Sequence, residues 1–62
     1  MEDEVIRVFR QTSIGIARDF GANISPEIRA KFKSLTTKYE IAKYRDELIK
    51  QAFKDYEETH HE

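Results

Sequence analysis

The chain has 62 residues, no cysteine, 37% charged and 39% hydrophobic residues, and a formal net charge of −1. A length of about 60 residues excludes a large core, because such a chain buries only about 60% of the surface its unfolded form exposes. The missing thiols exclude disulfides and thiolate metal sites, while four Phe and three Tyr supply enough core material to argue against a disordered tail.

The first helix is expected from about residue 3 to 20. Glu2, Asp3 and Glu4 sit where a helix N-terminus favours negative charge, and Gly21 sits where a left-handed residue ends a helix. Wound at 100° per residue, Val5, Ile6, Phe9, Ile16, Ala17 and Phe20 share one face, predicted to be the core stripe. Ile14 then points roughly opposite that stripe and Val8 lies at its margin. Gly15 costs the helix about 1 kcal/mol relative to Ala unless another backbone approaches there.

Gly21-Ala22-Asn23-Ile24 forms a short connection that makes the flanking helices neighbours. Ser25-Pro26-Glu27 opens the second helix, expected over about residues 26–35, with Ser as N-cap and Pro at the first helical position. Ile28, Phe32 and Leu35 give it one narrow apolar stripe. Thr37 and Glu40 form a T-x-x-E capping box that starts the third helix, expected over about residues 38–57. Its apolar residues Ile41, Tyr44, Leu48, Ile49, Ala52, Phe53 and Tyr56 cover about half the circumference, as a helix lying between two others requires. Arg45 projects into that stripe, so it must snorkel, pair with a carboxylate such as Asp19, or face a second subunit. Residues 58–62 are polar and are expected to fray.

Three amphipathic helices with short connections predict an all-α, three-helix bundle as a single domain over residues 1–62. The alternative is a helical hairpin, kinked at Thr36-Thr37, that dimerises into a four-helix bundle. Thr37, Ile41, Tyr44, Arg45, Asp46, Glu47, Leu48, Ile49 and Lys50 resemble in pattern the third helix of the albumin-binding three-helix modules of bacterial surface proteins. The resemblance carries no binding residue over to this chain.

Chemistry is sparse. The two histidines, His60 and His61, fall in the expected frayed tail, where no site can be preorganised. The adjacent acids Asp46-Glu47 and Glu57-Glu58 diverge by about 100° round a helix and cannot act as a carboxylate dyad. No catalytic residue, cofactor site or metal site is therefore expected. An acidic N-terminus and the lack of an apolar run near ~18 residues predict a cytoplasmic protein that does not enter a membrane. On that expectation the glycosylation-like triplet Asn23-Ile24-Ser25 is chance.

Charge is uneven along the chain. From Val5 to Arg45 nine bases face three acids, a net of +6, whereas residues 46–62 carry six acids and two bases, a net of −4. Arg29, Lys31, Lys33, Lys38 and Lys43 form a basic region with the outline of a helix-turn-helix, a candidate nucleic-acid contact. Ile14, Val8, Tyr39 and Phe53 are the apolar residues left at the edges of the expected core, and they are the candidates for contact with another protein. The functional expectation is a small non-enzymatic protein–protein interaction module, such as a regulator, inhibitor or adaptor, able to homodimerise. The alternative is a nucleic-acid-binding regulator.

Overall fold

A computed structural model describes residues 3–60. It is an all-α bundle of three helices: α1 (Glu4–Asp19), α2 (Pro26–Ser34) and α3 (Lys38–His60). The expected frayed segment is helical through His60, where the Thr59 hydroxyl donates to the carbonyls of Asp55 and Tyr56. The remainder of that expectation, His61 and Glu62, lies outside the described residues.

Each helix begins on a side-chain cap. Asp3 Oδ1 accepts from the Val5 amide at 2.9 Å and Ser25 Oγ accepts from the Ile28 amide at 3.2 Å, with Pro26 in the first turn. At α3 the capping box forms by half. Thr37 Oγ1 accepts from the Glu40 amide at 3.2 Å, but the Thr37 hydroxyl donates to Glu40 Oε1 at 2.9 Å, so the carboxylate engages the hydroxyl. α1 ends as the sequence predicts. Gly21 has φ of +99°, its amide donates to Arg18 O and the Ala22 amide donates to Ala17 O, the paired bonds of a Schellman motif.

Leu35 adopts an extended conformation (φ −85°, ψ 133°), so α2 and α3 are separate helices and the kinked hairpin does not form. α1 and α3 run side by side in the same direction: Val8 and Lys38 border one groove near their starts, and Phe20 meets Phe53 near their ends. α2 returns between those two levels. The core consists of Ile14, Phe32, Leu35 and Ile41, with Ile6, Phe9, Ile24, Ile28, Tyr44 and Leu48 packed around it. Phe32 and Tyr44 meet edge to face at a centroid distance of 4.8 Å.

The buried face of α1 differs from the predicted one. Arg10, Ser13, Ile14 and Ala17 are buried, whereas Val5 and Phe20 are more than half exposed. At 100° per residue the helix is rotated by about 70° from the mean direction of its apolar residues. Ile14, expected on the outside, is only 6% exposed and belongs to the core. The cause is Arg10. Its Nε donates to Phe32 O at 2.9 Å and its Nη2 donates to Leu35 O at 2.8 Å, and these charge-assisted bonds turn the Arg10 face of α1 toward the end of α2.

Candidate interaction surface

Helix lengths create the surface. At 1.5 Å per residue, α1, α2 and α3 extend about 24, 14 and 35 Å, so the last turns of α3 project past the α1–α2 connection. The molecule is correspondingly a rod, 50 × 20 × 15 Å. The wide apolar face of α3 therefore runs out of neighbours. Ile41 is fully buried, Tyr44, Leu48, Ile49 and Ala52 are half-buried, and Phe53 and Tyr56 are 50% and 60% exposed.

The uncovered part of that face forms one wall of a groove of about 900 Å³. Leu48, Ala52 and Tyr56 recur every fourth residue along it. The opposite wall comes from the α1–α2 connection and the start of α2, including Phe20, Ala22 and Ile28. Phe20 and Phe53 close its edge, ring centroids 5.8 Å apart at 78°, a favourable edge-to-face geometry. Asp19, Asn23, Ser25, Gln51, Asp55 and Thr59 add polar side chains to the lining, and Asp55 accepts from Gln51 Nε2 at 2.9 Å.

The residues singled out from the sequence do not come together. Phe53 borders this groove, while Val8 lines a smaller one of about 390 Å³ near the opposite end, with Val5, Phe9, Thr12 and Lys38. Tyr39 is exposed at the start of α3, and Ile14 is core. The residues that sequence reasoning left out of the site are Phe20 and Tyr56, both assigned to the packed face. The available signal was length: an apolar face extending well beyond two shorter helices cannot be covered along its whole length.

The basic residues Arg29, Lys31, Lys33, Lys38 and Lys43 are all exposed. Arg29 and Lys33 lie one turn apart on α2, but Lys31 is about 200° round from Arg29, and Lys38 borders the smaller groove. Arg45 does not reach Asp19. Its Nε donates to Asp46 Oδ1 at 3.1 Å on the same helix, so its ion pair is with its chain neighbour.

No helix among the described residues is long and apolar enough to cross a membrane. Compared with known proteins, the chain matches no family model, no curated protein and no solved structure.

Proposed function

We propose that this chain is a small non-enzymatic interaction module that binds another polypeptide through the groove between the end of α3 and the α1–α2 connection. The observation that carries the reading is the clustering of Phe20, Phe53 and Tyr56, three large side chains each at least half exposed, around one apolar cleft. Aromatic anchors grouped in a pocket are the usual source of binding energy at protein interfaces, whereas isolated exposed apolar residues signify nothing. An α-helix of roughly 10 Å diameter is the secondary element that fits an open groove walled by helices.

The test compares the wild-type chain with Phe53→Asp. Both are to remain helical by circular dichroism, and polypeptides retained by wild type in a crosslinking experiment are to be lost from the variant. Equal retention by the two proteins removes the groove as the binding surface.

A further inference from the structure

We infer that the groove's occupant is a second copy of this chain, whose projecting α3 end lies antiparallel to α3 of the first copy so that each copy fills the other's groove. This rests on the groove being a polypeptide-binding surface.

Surface area is the first argument. A folded monomer of this mass, 7.4 kDa, is expected to expose about 4200 Å². The chain exposes 4900 Å², an excess of about 700 Å² over that expectation. A standard interface removes about 800 Å² from each partner. Pairing two copies would therefore return each one to the exposure normal for its size.

Shape is the second. Leu48, Ala52 and Tyr56 are spaced evenly about Ala52 along the groove face. A two-fold axis at Ala52 sets Leu48 of one copy against Tyr56 of the other, and small Ala52 against itself, where the helices must approach most closely. Such an arrangement is closed and self-complementary, as a two-fold dimer requires.

Sedimentation equilibrium over a range of chain concentrations tests the proposal. The wild-type chain is expected to approach twice 7.4 kDa as concentration rises, and Tyr56→Asp to weaken association by about 30-fold or more, the loss typical of an interface anchor, with helicity retained. A wild-type chain that stays at 7.4 kDa at about 1 mM, above the weak-binding limit of interest, overturns the dimer. So does a dimer that Tyr56→Asp leaves intact. A monomeric wild type whose crosslinked polypeptides are nonetheless lost in Phe53→Asp overturns the dimer alone and leaves the groove a docking site for a different chain.

Discussion

The buried guanidinium of Arg10 donates to the Phe32 and Leu35 carbonyls at 2.9 and 2.8 Å, joining the middle of α1 to the C-terminal end of α2. The carbonyl of Leu35, the C-cap of α2, has no intrahelical partner, whereas Phe32 O also accepts from the Leu35 amide at 3.1 Å; to each of them a side chain distant in sequence adds a donor. Two directed bonds need the planar fork of Arg. Arg10→Lys keeps the charge but not the fork, and is expected to lose about 2 kcal/mol from a total near 3–9 kcal/mol for a chain this size. Thermal unfolding followed by circular dichroism reads it as a fall of roughly 8–16 °C. An unchanged midpoint would mean that the carbonyls are equally well satisfied by water.

Ile14 and Phe53 entered the sequence reading as equivalents, and the fold separates them. Ile14→Asp places a carboxylate against Phe32, Leu35 and Ile41, and the one base on that buried face, Arg10, is already committed to the α2 carbonyls, so pairing with it breaks those bonds and not pairing leaves a desolvated charge; the chain is expected to unfold. Phe53→Asp loses one edge-to-face contact, about 1 kcal/mol, and keeps its helices. Far-ultraviolet circular dichroism of the two variants distinguishes these outcomes directly.

Two positions on α1 leave stability unused. Ser13 is fully buried with no hydrogen-bond partner for its hydroxyl among the described residues, so Ser13→Ala is expected to gain about 1 kcal/mol. At Gly15 an added Cβ meets nothing within 4 Å, so no close approach of another backbone explains the glycine. Gly15→Ala is expected to gain about 1 kcal/mol from helix propensity. Urea titrations measure both, with the midpoint shifting at constant slope.

Tyr44 links stability to alkaline pH. Burial, and secondarily the nearby Glu47 carboxylate, hold its hydroxyl above the ordinary value of 10.0. Below pH 10.0 the phenol is neutral in both states and contributes no pH dependence. As pH rises beyond it the unfolded chain releases this proton first, so stability falls until the folded value is passed. Tyr44→Phe is expected to lose that part of the alkaline decline, measured as the difference between wild-type and variant unfolding free energies from pH 9 to 11.

Local chemistry was legible because it is written in neighbouring residues. Ser25 with Pro26, Thr37 with Glu40, and Gly21 after a helical run each satisfy or replace backbone groups within a few positions, so they located the helix ends within a few residues. Phe53 was recognisable as a residue near the edge of the α3 face. The rotation of α1 was not legible, because it depends on bonds from Arg10 to carbonyls 22 and 25 residues away, and apolar periodicity carries no record of such partners. The same omission misplaced Ile14.

The sequence by itself determined three capped helices, their order, and too little apolar material for more than a small core. Only the tertiary structure decided which face of α1 is buried and where the face of α3 runs out of neighbours. Both follow from relations between helices: a guanidinium that must find acceptors once buried, and a third helix longer than the two that cover it.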